Sequence, residues 1–111
     1  MDLLDEQLEA YNGRDLERFL ACFAPDIVVE DATGAVMATG LDALRQAYGR
    51  LFAGSPDLHA RIAQRIRVGA YAIDEEFVTG INAPGFPAAE LHAAVLYHIV
   101  DGKIARMRQF R

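Results

Sequence analysis

The hydrophobic period of this chain changes once, and that change limits the folds open to it. Before Pro56 the apolar residues recur at three- and four-residue intervals, interrupted by one short β-branched run; from Leu58 onward they alternate. Leu3, Leu4, Leu8 and Tyr11 share a helical face opposite Asp5, Glu6 and Glu9, which predicts an amphipathic helix over 3–11 ended by Asn12-Gly13. Leu16, Phe19, Leu20 and Phe23 repeat the pattern from Asp15 onward. Asp15 and Glu17 put negative charge at the positive end of that helix, and Ala24-Pro25-Asp26 stops it. Ile27-Val28-Val29 predicts a strand over 27–31, followed by an irregular or hairpin-like connection from Asp31 to Gly40. Leu44, Ala47, Tyr48, Leu51 and Phe52 mark a third helix, closed by Gly54-Ser55-Pro56.

In the second half, Leu58, Ala60, Ile62, Gln64 and Ile66 alternate with His59, Arg61, Ala63, Arg65 and Arg67, the pattern of a strand with one wet face. Further strands are predicted over 71–81, 90–100 and 103–110. A Pro/Gly-rich loop from Asn82 to Ala88 precedes the second of these, and Asp101-Gly102 signals a two-residue hairpin. Helices first and a meander of long strands afterwards predict segregated α+β, not alternating βαβ units.

Composition narrows the function classes. The 111 residues suit one domain over 1–111, and 52% apolar against 24% charged residues is enough to build a core. No apolar run approaches the roughly 20 residues that cross a bilayer. The acidic start, Met1-Asp2-Leu3-Leu4-Asp5-Glu6, lacks the basic segment of a signal peptide, so a cytoplasmic location is the expectation. A net charge of -5 argues against nucleic acid, whose phosphates need a basic surface. The single cysteine, Cys22, excludes an internal disulfide and lies in an apolar helical stretch, as a buried inert thiol does. No metal and no organic cofactor is expected, because no zinc spacing, P-loop or dinucleotide fingerprint occurs.

Two runs carry a resemblance: YNGRDLERFLACFAPDIVVEDATG over 11–34 and GLDALRQAY over 40–48, with GKIARM at 102–107 suiting a final strand. They resemble the nuclear transport factor 2-like superfamily, in its SnoaL-like and ketosteroid isomerase-like branch. That resemblance implies a cystatin-like α+β cone in which three N-terminal helices pack on a strongly curved antiparallel sheet around one pocket. It also implies a small apolar ligand and a homodimer formed through the outer sheet face. Asp31 falls where ketosteroid isomerases place a general base beside a carbonyl. In an apolar cone its pKa would rise, suiting it to take and return a proton; the plain alternative is that Asp31 caps the turn before Ala32-Thr33-Gly34.

The rest of that active site does not carry over. The first-helix oxyanion donor is matched by Gln7 and the late-strand donor by Val95, whereas Tyr48 matches a supporting tyrosine. Tyr97, sharing a face with Ala93 and Val95, is a candidate replacement donor, and His92 and His98 then face outward. Phe23, Phe52, Gln64 and Met107 complete the candidate ligand wall. Asp74 and Glu76 share a strand face: inward they form, with Asp31, a carboxylate group with split pKa values, and outward they pair with Arg61, Arg65 or Arg67. The implied functions are a cofactor-independent isomerase or cyclase with Asp31 as proton shuttle, or a non-catalytic ligand-binding or dimerisation module. An epoxide hydrolase is disfavoured, because it needs an arginine held between two acids and pointing inward, and the alternation puts Arg61, Arg65 and Arg67 outside.

Overall fold

The computed structural model describes residues 1–86 and 88–111; of the Pro/Gly-rich loop, Pro87 falls outside the described residues. The chain runs α1 (Leu3–Asn12), α2 (Leu16–Leu20), β1 (Phe23–Glu30), β2 (Val36–Thr39), α3 (Gly40–Gly54), β3 (His59–Val68), β4 (Tyr71–Thr79), β5 (Leu91–Val100) and β6 (Lys103–Phe110). Six strands form one curved sheet in the order β2-β1-β6-β5-β4-β3. Four neighbouring pairs are antiparallel and β1–β6 is parallel, a departure from the expected all-antiparallel sheet. No helix among the described residues is long and apolar enough to cross a membrane.

Local chemistry explains most boundaries. Asp2 caps α1 by accepting from the Leu4 and Asp5 amides at 3.0 and 3.2 Å, and Asp15 caps α2 through the Arg18 amide. The second helix is shorter than its apolar pattern predicts, because residues from Phe23 onward join β6: the Ile104 amide donates to Cys22 O at 2.9 Å, and Phe23 pairs with Ile104. Pro25 has no N–H to give a ladder, and it sits where the β1–β6 register shifts, between Phe23 and Val28. Asp101 (φ 51°) and Gly102 (φ 75°) both occupy the left-handed region, as the predicted two-residue hairpin requires. Gly80 is obligatory for two reasons: its φ is +73°, and any Cβ there would run into the Asp57 carbonyl.

One irregularity decides which side chains reach the helix side of the sheet. The β3–β4 register shifts between Ile62 and Gln64, so the alternation inverts partway along β3. Before the shift Ala60 faces inward opposite Val78; beyond it Arg65 and Arg67 do, opposite Asp74 and Ala72. Gln64, Ile66 and Val68 turn outward with Glu75, Ile73 and Tyr71. A strict period of two put these residues on the opposite faces, and the inserted residue is the physical reason for the difference.

The core is aromatic at its helical end. Phe19, fully buried, lies 4.6 Å from Tyr48, 4.9 Å from Phe23 and 5.6 Å from Phe52 between ring centroids, with Tyr11 beside them. Leu4, Ile27, Leu44, Leu58 and Ile104 close around this cluster. Cys22 is buried as expected.

Candidate functional site

A cavity of about 340 Å³ lies between the helices and the concave face of the sheet. Small side chains create it: Ala47 on α3, Ala60 on β3 and Ala93 on β5 line it where larger residues would fill the space. The remaining wall is largely apolar, with Leu8, Val29, Leu44, Leu51, Val78, Ile81, Phe86, Leu91, Val95 and Met107. Its polar groups are few: Gln7 and Tyr11 from α1, Tyr48 from α3, Glu76 from β4, Tyr97 from β5, and Gln109 and Arg111 at the end of β6.

Strand register sets the depth of these groups. Tyr97 pairs with Met107 and Ala72, Val95 with Gln109 and Asp74, and Ala93 with Glu76. Glu76 therefore lies two levels from Tyr97, toward the end of β4 that leads to Ile81, Ala83 and Phe86, which also line the cavity.

Glu76 is the one carboxylate lining this cavity among the described residues. No hydrogen bond to it contributes to its titration. Burial pushes its pKa up to about 7, the charge of Asp74 on the same strand face adds to the rise, and Arg111 opposes it. The charge on Glu76 is felt in turn by Tyr11, Tyr48 and Tyr97. Burial raises all three phenols, Tyr48 to about 12, so each keeps its proton at neutral pH and can donate it in a hydrogen bond.

Asp74 is 1% exposed, and Arg65 grips it with two parallel bonds, Nε to Oδ1 at 2.6 Å and Nη2 to Oδ2 at 2.9 Å. Arg65 Nη1 also donates to Asp5 Oδ1 at 2.8 Å, tying β3 to α1. Neither alternative raised for the acidic cluster holds whole: Asp74 and Glu76 face inward but form no carboxylate group with Asp31, and Asp74 finds its arginine on the inner side, because the β3 irregularity turns Arg65 inward too. The arginine between two acids that a hydrolase needs does exist, but neither Arg65 nor Asp74 lines the cavity.

The structure places the other expected site residues unevenly. Tyr48, Tyr97, Gln7, Val95 and Met107 line the cavity together. Phe23 and Phe52 stand behind its wall in the cluster around Phe19. Gln64 is outside, donating to Glu75 Oε1 at 3.0 Å, which corrects its placement in the ligand wall. His92 also faces outward, 2.8 Å from Glu75, and His98 stacks on Tyr71. Asp31 is absent from the main cavity lining. Its Oδ1 accepts from Thr33 Oγ1 at 2.6 Å, the Thr33 amide at 2.9 Å and the Ala35 amide at 3.1 Å, so it holds the β1–β2 turn. The Thr33 hydroxyl first, then these amides, lower its pKa, the reverse of the rise expected for a base in an apolar cone. It borders a shallower cleft of about 200 Å³ with Ala32, Thr33, Met37, Gln109 and Arg111.

The family model for a SnoaL-like domain matches residues 4–107. The chain belongs to the SnoaL-like family. Among solved structures it is similar to an uncharacterised cystatin-fold protein of Novosphingobium aromaticivorans, at 26% identity over 100% of this chain and 99% of that one, with a TM-score of 0.86. A protein of Sinorhizobium meliloti named as a candidate polyketide cyclase shares 25% identity over 96% and 92% of the two chains, with a TM-score of 0.78. A candidate ketosteroid isomerase of Kribbella flavida shares the fold at 21% identity over 97% and 73%, with a TM-score of 0.76. A comparison with curated proteins finds no match. Within this SnoaL-like chain, the cystatin-like α+β arrangement is the one the resemblance implied.

The raised Glu76 pKa makes a stability prediction. The folded state holds this proton between about pH 4.5 and 7, where the unfolded chain releases it, so the group's contribution falls as pH rises through that window. Glu76→Gln removes the dependence. Urea unfolding at pH 4 and pH 8 is expected to show the variant gaining on the wild type by about 3 kcal/mol at the higher pH. An unchanged difference would show that Glu76 ionises normally.

Proposed function

We propose that this SnoaL-like chain moves a proton beside the carbonyl of a small apolar compound, as an isomerase or cyclase does, with Glu76 as the shuttle. The observation that carries this reading is an acid with no hydrogen bond recorded to its carboxylate, titrating near neutrality, in an apolar cavity walled by three protonated tyrosines. Its carboxylate takes a proton from the carbon next to the carbonyl, the electron pair passes to the carbonyl oxygen as an enolate, and the same carboxyl returns the proton elsewhere on the conjugated system. Tyr97 and Tyr48 are the donors available to the enolate, standing in for the pair that Gln7 and Val95 leave missing. The cavity volume is at the small end of ligand pockets, about 300–1,000 Å³.

The test is isomerisation of a β,γ-unsaturated cyclic ketone by wild type, Glu76→Gln and Asp31→Asn. Wild type and Asp31→Asn are expected to turn over alike, with a pH profile bending near 7, and Glu76→Gln to lose about 100-fold or more. Loss confined to Asp31→Asn would return the role to the β1–β2 turn. Turnover in none of the three would favour a non-catalytic binding module.

The outer sheet face supports a further part of the proposal, a homodimer. Ile66, Val68, Tyr71 and Ile73 are exposed there side by side, an apolar patch of the kind a monomer rarely shows. Sedimentation of the wild type at micromolar concentration as a monomer would refute it.

A further inference from the structure

We propose that Arg111 forms a subsite for an acidic group, which makes the ligand a small apolar keto acid with its carboxylate on Arg111 and its reacting carbon beside Glu76. The inference deepens the proton-transfer reading and takes from it only the position of the reacting carbon.

The argument begins with register. Glu76 pairs with Ala93 across β4–β5. On the other side of β5, Phe110 pairs with Ala94, so Arg111 emerges next to Ala93 as well. The carboxyl and the guanidinium thus flank one alanine from two strands away, roughly 10 Å apart at the backbone. Ala93 carries only a methyl group, and Glu76, Ala93 and Arg111 all line the same cavity. A group bearing an acid a few bonds from a carbonyl spans such a gap.

Arg111 is the one cation lining this cavity among the described residues, and it also lines the adjoining cleft. Arg18, Arg45, Arg65, Arg67, Arg106 and Arg108 each have a carboxylate within ion-pair distance; Arg111 forms no such pair among the described residues. Its guanidinium instead stands 5.1 Å over the Phe86 ring. That contact uses the ring's π face and takes up none of the guanidinium N–H donors, and a planar fork of such donors is what receives a carboxylate. Asp31 borders the same cleft, so each further negative charge on that partner is disfavoured there. Ionised Glu76 disfavours the reversed pose, in which two carboxylates would meet in an apolar wall. The pull of Arg111 on the titration of Glu76 shows the two groups within electrostatic reach.

The probes are 2-naphthylacetate and its neutral counterpart of similar shape, 2-naphthylacetamide, titrated into isotopically labelled protein with backbone amide shifts as the readout. Wild type and Glu76→Gln are expected to bind the acid about tenfold or more tightly than the amide, with shifts at cavity-lining residues such as Ala93 and Leu51. Arg111→Gln is expected to abolish the preference, with acid and amide binding alike. Equal affinities in the wild type, a preference that survives Arg111→Gln, shifts confined to the outer sheet face, or no binding of either probe would each overturn the subsite. Failure of the proton-transfer reading looks different: an intact acid preference without turnover removes the chemistry and keeps Arg111, whereas turnover without acid preference does the reverse.

Discussion

Arg65→Met is expected to destabilise the protein by about 3–5 kcal/mol, a large part of the total stability of a chain this size. The reason lies on the partner. Asp74 is almost fully enclosed and holds both carboxylate oxygens on Arg65, so removing the arginine leaves a buried charge with nothing opposite it. The exposed arginine pairs give no comparable effect: Arg18 with Glu6 and Glu9, and Arg45 with Glu17, stay in water and contribute about 0–1 kcal/mol each. A double variant, Arg65→Met with Asp74→Leu, is expected to recover most of the loss, since an apolar pair of similar volume replaces an ion pair at little cost. Urea midpoints for the two single variants and the double variant check this. A loss below 1 kcal/mol for Arg65→Met would show that water reaches Asp74.

Phe19→Ala is expected to cost a similar amount, about 3–5 kcal/mol. Phe19 is fully buried, and four aromatic rings lie within 6.0 Å of its own. The cavity left behind cannot collapse easily, because those rings are anchored on three different elements: Tyr11 on α1, Phe23 on β1, and Tyr48 and Phe52 on α3. Tyr48 also lines the cavity, so the same variant is expected to weaken any binding of an apolar probe there. Thermal unfolding with and without such a probe measures both. A variant that loses stability but binds normally would show that the aromatic cluster and the cavity wall move independently.

Much of the fold was legible in the chain because its signals are local. The helix over 3–11, the third helix ending at Gly54, the Asp101-Gly102 hairpin and the long strands after Leu58 each rest on a spacing or a turn residue within a few positions. The parallel pairing of β1 with β6 had no such signal, since it joins segments about eighty residues apart. It also took Phe23 out of the apparent second helix.

The lining of the cavity was legible in part. Gln7, Val95 and Met107 were expected in its wall and Tyr48 and Tyr97 as donors, and all five line it. Asp31 was singled out as the base, yet its own sequence, Asp31-Ala32-Thr33-Gly34, also carries the chemistry of a turn, and the turn satisfies the carboxylate. Arg111 raised no signal, because nothing in its neighbours says that β6 ends at a cavity.

The amino-acid sequence by itself determined that Asp74 and Glu76 share one strand face, since side chains alternate with a period of two whatever surrounds them. Which face that would be, it could not say: Tyr71, Ile73 and Phe77 make the opposite side the more apolar, and a local rule would bury them. Only the tertiary structure decided otherwise. The helices cover the face of Ala72, Asp74, Glu76 and Val78, and the β3 irregularity delivers Arg65 to neutralise Asp74 there. Glu76, without such an arginine, is left as the acid in the cavity.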